Sequence, residues 1–119
     1  MGEFFKKSGK TPPAGIPLDS IDLRNDLSEE HTVVHIIAGD LPGLLYVMCR
    51  SLARCGLYIH SAKIATWYAR AENNFYVTTD AGAQIPDPEL KVWAERLKNV
   101  LLGTVEPGSM MDKIQGIQV

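Results

Sequence analysis

The residues in this chain whose types and order could hold a ligand are Gly39-Asp40-Leu41-Pro42-Gly43-Leu44. A β-branched apolar run, Thr32–Ala38, leads into them, and a helical pattern from Leu44 to Arg54 leads out. A strand therefore ends here and a helix begins. Such a turn gathers free backbone N–H groups and the positive end of a helix dipole at one spot, and that spot suits a carboxylate. Pro42 and Gly43 are also ordinary turn residues, so the turn alone leaves both readings open. No other constellation points to catalysis. No motif places a Ser/His/Asp or Cys/His set, and Asp22 and Asp26 read as a solvated polar turn. Cys49 and Cys55 lie six positions apart on one helix and cannot bridge without breaking it. They read as free thiols of a reducing cytoplasm. The three histidines and two cysteines are too scattered for a metal site, so no metal or cofactor is expected.

These residues need a scaffold, and 119 residues make one domain. A net charge of -2 carries no basic excess for nucleic acid or an anionic membrane. No apolar run approaches the ~20 residues of a membrane span. Residues 1–16 read as a flexible leader without a signal peptide, 17–103 as the folded domain and 104–119 as a tail. A short edge strand fits Asp19–Leu23. In Thr32–Ala38, Val34 and Ile36 take the buried face, and Val33, His35 and Ile37 the other. Helix Leu44–Cys55 buries Leu45, Met48, Leu52 and Cys55 and stops at Gly56. Leu57–Tyr68 is a long strand in which Ile59 and Ile64 share a face only with a bulge or bend. Ala69–Asn73 is a connection, and Asn74–Thr79 the next strand, with Phe75 and Val77 inward. Asp87 is the expected N-cap of a second helix carrying Leu90, Trp93, Ala94, Leu97, Val100 and Leu101, which Gly103 ends. The order predicts an α+β, ferredoxin-like fold: one antiparallel sheet of about four strands with two helices on one face. The fourth strand is expected from Asp19–Leu23, because a short turn returns it to Thr32–Ala38 as a hairpin, rather than from the weak strand pattern at Ile114 and Ile117.

Three blocks resemble ACT domains, the small regulatory modules that bind amino acids. They are Asp40-Leu41-Pro42-Gly43-Leu44-Leu45-Tyr46, His60-Ser61-Ala62-Lys63-Ile64-Ala65-Thr66, and Phe75-Tyr76-Val77-Thr78 with Gly82 following. Within that family the chain is most similar to the C-terminal ACT domain of the nitrogen-sensing PII uridylyltransferases. The resemblance spans about Ile21 to Gly103 and departs from the family at Leu41 (usually Arg), Tyr58 (usually Asn) and Thr79 (usually Asp). It implies a regulatory, non-catalytic domain that binds an amino acid, glutamine first, and signals through oligomer contacts. Gly39, Asp40, Leu41, Pro42, Gly43 and Leu44 would form the site, with the amides of Gly43 and Leu44 on the carboxylate and Asp40 on the ammonium. His60 would reach the ligand's side chain. The alternative is a structural homodimerisation module without a ligand, which the departures at Leu41 and Tyr58 favour. In that reading Tyr58, Trp67 and Tyr68 are contact aromatics, and an apolar outer sheet face with Val33 and Ile37 exposed drives pairing.

Overall fold

A computed structural model describes residues 15–103. The readings of residues 1–14 and of the tail from 104 onward lie outside the described residues. Strands β1 (Leu18–Arg24), β2 (Thr32–Gly39), β3 (Tyr58–Trp67) and β4 (Arg70–Thr78) form one antiparallel sheet in the order β1-β2-β4-β3. Helix α1 (Leu44–Arg54) joins β2 to β3, and helix α2 (Leu90–Leu101) follows β4. The ferredoxin-like α+β arrangement is as expected, and β1 supplies the fourth strand, with Leu23 opposite Val34 and Leu18 opposite Ala38.

The core lies between the helices and one sheet face. Val34, Ile36 and Ala38 of β2 and Phe75 and Val77 of β4 meet Leu44, Met48 and Leu52 of α1 and Leu97, Val100 and Leu101 of α2. The period-2 alternation of the strands thus supplies one apolar layer and the 3.6-residue period of the helices the other. Ile16 joins this core, 6% exposed, with its N–H donating to Leu101 O at 2.9 Å; ordered structure therefore reaches back into the stretch read as leader.

Several details differ from the expectation. The buried stripe of α1 is Leu44, Met48, Ser51 and Leu52, continued by Cys55, while Leu45 is 45% exposed. The spacing 44, 48, 52 keeps one face, and Leu45 lies ~100° around it. Ala69–Asn73 is not a loop. β4 begins at Arg70, and the β3–β4 hairpin turns through Tyr68 and Ala69 alone. Asp87 opens a 3₁₀ turn, Asp87–Glu89, and caps nothing; its carboxylate instead accepts from Asn25 Nδ2 at 2.7 Å. The anticipated bulge falls at His60, between Ile59 and Ser61, and returns Ile59 and Ile64 to the same face, opposite Val77 and Asn73. Val33 is buried rather than exposed, and the outer face around it is mostly polar: His35 Nε2 lies 2.6 Å from Glu72 Oε2, and Arg70 Nε lies 2.8 Å from Asp19 Oδ2. The outer face is therefore not the apolar surface expected to drive pairing.

Candidate functional site

The β2–α1 turn is held from two sides. Gly39 N–H donates to Pro17 O at 2.9 Å and Asp40 N–H to Ala69 O at 2.8 Å. A Cβ on Gly39 would stand 3.0 Å from Pro17 Cγ and 3.3 Å from Arg70 Nη1, so any larger residue here requires those side chains to give by a few tenths of an ångström. Gly43 is the N-cap of α1, at φ 80°, a left-handed conformation that disfavours residues with a Cβ. No side chain caps the helix, and its first turn carries no acidic residue. Leu44 N–H is already engaged, donating to Leu41 O at 3.1 Å, and the Leu44 side chain is buried. The donors at the N2 and N3 positions, where an isolated helix has no intrahelical partner, are the amides of Leu45 and Tyr46. Of the expected pair, Leu44 N–H is thus already used within the turn, and the helix-start donors lie at Leu45 and Tyr46.

Asp40, Leu41, Pro42 and Gly43 are all exposed around this helix start. Leu41, Leu45 and Tyr46 add apolar surface at 49%, 45% and 62% exposure. The β3–β4 hairpin lies at the same end of the sheet, because Gly39 is opposite Arg70 and Arg70 opposite Trp67. Ala62, Ile64 and Thr66 face the helix side of the sheet but remain exposed, so α1 leaves the outer half of β3 open. This arrangement offers a helix start that can receive an anion, with an apolar rim; the Thr66 hydroxyl stands farther off, on β3 beyond β4.

His60 does not belong to this arrangement. It sits seven residues before Trp67 on β3, about 20 Å from the turn at ~3.3 Å per residue. Its Nε2 pairs with Thr78 Oγ1 at 2.8 Å and its ring lies 4.8 Å from that of His31. The bulge turns His60 toward Thr78, so sequence neighbourhood with the family's strand block did not translate into proximity. Sequence reasoning in turn missed Arg70, beside Gly39, and Asn73, an amide 1% exposed between Ile36 and Ile64. Asn73 Nδ2 donates to Ala71 O and Ile36 O at 3.3 and 3.4 Å. The only available signal was a polar residue interrupting the inward alternation Ala71, Phe75, Val77.

At the opposite end of the sheet a shallow cleft of about 400 Å³ is lined by Arg24, Asn25, Asp26, Gln84 and Asp87. Its polar groups are spent on the fold. Gln84 Nε2 reaches the carbonyls of Asn25, Ser28 and His31 at 2.7–3.1 Å, and Thr32 Oγ1 donates to Asn25 Oδ1 while accepting from Ile85 N–H. Among the described residues no group of three or more His, Cys, Asp or Glu side chains is placed to hold a metal ion. No helix among them is long and apolar enough to cross a membrane. Burial pushes the Cys55 thiol up to about 12 and the Cys49 thiol upward as well.

A family model described as an ACR9-like, ACT-like domain matches residues 20–106. Similar curated proteins include bifunctional uridylyltransferase/uridylyl-removing enzymes. That of Rhodopseudomonas palustris is 33% identical over 93 residues, which is 78% of this chain and 10% of that protein. That of Bradyrhizobium sp. (strain ORS 278) is 41% identical over 68 residues, 57% of this chain and 7% of that protein. The Gluconobacter oxydans protein is 38% identical over 81 residues, 68% of this chain and 8% of that protein. The chain thus spans a tenth or less of these relatives. No solved structure matches it.

Proposed function

We propose that this chain, which belongs to the ACT-like domain family, is a non-catalytic regulatory domain that binds a free amino acid at the β2–α1 turn. The ligand's carboxylate meets the amides of Leu45 and Tyr46, and exposed Asp40 faces its ammonium. Glutamine is the first candidate, on the strength of the uridylyltransferase relatives and the nitrogen-sensing resemblance. The domain works in the cytoplasm as a homo-oligomer, which passes the binding event on. One observation carries this reading: a helix start at left-handed Gly43 with no side-chain cap and no acid in its first turn. Against the glycine at this cap, a Ser, Thr, Asp or Asn would add only a few tenths of a kcal/mol, so what marks the turn is that the Leu45 and Tyr46 amides stand at an exposed helix start with no side chain to receive them. The test is a thermal-shift panel of the twenty amino acids. A ligand at 100 times its Kd adds about 2.7 kcal/mol and raises Tm by several degrees; silence across the panel overturns the reading.

A second reading rests on a different feature. Among the described residues β3 is an edge strand of ten residues; Tyr58, Ile64 and Trp67 along it are 60%, 46% and 41% exposed, and Tyr68 in the turn after it is 99% exposed. Such an edge is a template for pairing with a second copy, which makes the domain a ligand-free dimerisation module. Light scattering at micromolar concentration separates the two readings when set beside the panel: a dimer with no amino-acid shift supports this one alone.

A further inference from the structure

Two of the three histidines meet on the outer sheet face, although 29 positions separate them. The His31 and His60 ring centroids are 4.8 Å apart with planes inclined by 51°. His31 precedes β2, and His60 is the bulged residue of β3, so the pair reaches across the end of β4. His60 Nε2 is 2.8 Å from the hydroxyl of Thr78, a residue only 3% exposed. Among the described residues His60 Nδ1 has no hydrogen-bond partner. His31 Nδ1 lies 3.5 Å from Ser28 Oγ, at the outer limit of a hydrogen bond, so this ring is free to turn.

We propose that His31 and His60 form a bis-imidazole site for a late first-row divalent cation, of the Ni²⁺, Cu²⁺ or Zn²⁺ class, with water completing the coordination. Imidazole nitrogen suits these ions. A metal–nitrogen bond of about 2.0–2.1 Å puts each ring centre about 3.2 Å from the ion. Two such rings stand about 4.5 Å apart at a right angle and about 5.2 Å apart at the tetrahedral angle. The observed separation falls between them. Ligating histidines commonly anchor their second nitrogen on a neighbouring polar group, which fixes the tautomer. Thr78 does this for His60: with Nδ1 on the ion, Nε2–H donates to Thr78 Oγ1. Tyr76 packs edge-on against His31, centroids 6.3 Å apart, and bounds the site on one side. His35 is elsewhere, engaged with Glu72, and serves as an internal control. An ion here ties the edge strand β3 to the start of β2.

The test is Ni²⁺ titration followed by calorimetry, in a Cys49→Ser background that removes the half-buried thiol. Saturable one-to-one binding is expected, weakened at least tenfold by His31→Ala and by His60→Ala, and unchanged by His35→Ala. Paramagnetic broadening of imidazole NMR signals in the chain without histidine substitutions gives a readout independent of mutant folding: the rings of 31 and 60 broaden before that of 35. No saturable binding up to millimolar Ni²⁺, binding by His31→Ala or His60→Ala as tight as that of the parent, or first broadening at His35 overturns the assignment.

Discussion

Leu41 offers a way to probe the turn without straining it. Gly43→Asp is a poor probe, because Gly43 sits at φ 80° and any residue with a Cβ loses stability there, with or without ligand. Leu41 has no such constraint: Tyr68 is the one non-glycine residue at positive φ among the described residues. The Leu41 side chain is 49% exposed. Leu41→Asp gives up about half the burial value of a leucine, roughly 1 kcal/mol. A carboxylate near a helix start returns 0.3–1 kcal/mol. The unliganded Tm should therefore move by only a few degrees. A bound carboxylate at the Leu45 and Tyr46 amides would lie on the order of 5 Å from the new charge. At that distance repulsion is about 3 kcal/mol at an effective dielectric of 20 and under 1 kcal/mol in water. For a half-exposed position we take about 1–2 kcal/mol, which weakens binding roughly 5- to 30-fold. Leu41→Arg carries the opposite sign and should tighten binding by a similar factor. Both effects should shrink as salt is raised from 0.05 to 0.5 M, as the screening length shortens. Calorimetric titration with glutamine, or with whichever amino acid gives a thermal shift, reads the factors directly. If both variants fold and bind like the parent chain, no ligand carboxylate sits at this turn.

Three further outcomes follow from the packing and the charges. Gly82 is at φ 77° with nothing within 4 Å of an added Cβ, so Gly82→Ala isolates backbone strain: about 1–2 kcal/mol, partly offset by 0.4–1 kcal/mol from the stiffer unfolded chain. Its Tm should fall by a few degrees in a calorimetric scan, and an unchanged Tm contradicts the left-handed turn. Cys55 is fully buried with its thiol pushed up to about 12, so a thiol reagent at pH 8 should modify Cys49 first and reach Cys55 only on unfolding; equal rates would show that α1 does not bury Cys55. The Asp26 carboxyl is held below its usual range, chiefly by the hydrogen bond from Arg24. Its contribution to stability is therefore present above the ordinary aspartate range and lost as pH falls through the folded-state value. A carboxyl NMR titration should show an acid-shifted midpoint that moves up in Arg24→Met; no movement removes Arg24 as the cause.

How much of this was legible in the residues can be judged element by element. The strand Thr32–Gly39, both helices, and the return of β1 as a hairpin follow from hydrophobic period and short turns, which are local properties. The bulge near Ile59 was also readable, since two isoleucines five apart cannot share one face of a strand without a bulge or bend. Tyr68 and Ala69 gave no turn signal: neither is a favoured turn residue, and Tyr68 takes φ 53° because the strands on either side pair right up to it. Charge pairs such as His35–Glu72 were invisible because they join positions 37 apart through a register that only the folded sheet defines. Of the candidate site, the turn was legible as a helix start. Which amides it leaves free was not, since that depends on Gly43 serving as the cap and on Leu44 bonding back to Leu41. His60 was misplaced for a related reason: its strand runs beside the turn at one end, and His60 stands at the other.

The contact between Ile16 and Leu101, N–H to carbonyl at 2.9 Å, brings the two ends of the described residues together. A unit with adjacent entry and exit can be spliced into another protein at a surface loop without prying its host apart. Joining residue 103 to residue 15 by a short linker, and opening the chain at the exposed 68–69 tip, should give a circular permutant that folds to the same sheet. For a sensor, the geometry also sets where a message can get out. Pro17 abuts Gly39, so a shift of the β2–α1 turn on ligand binding would reach the residue next to Ile16.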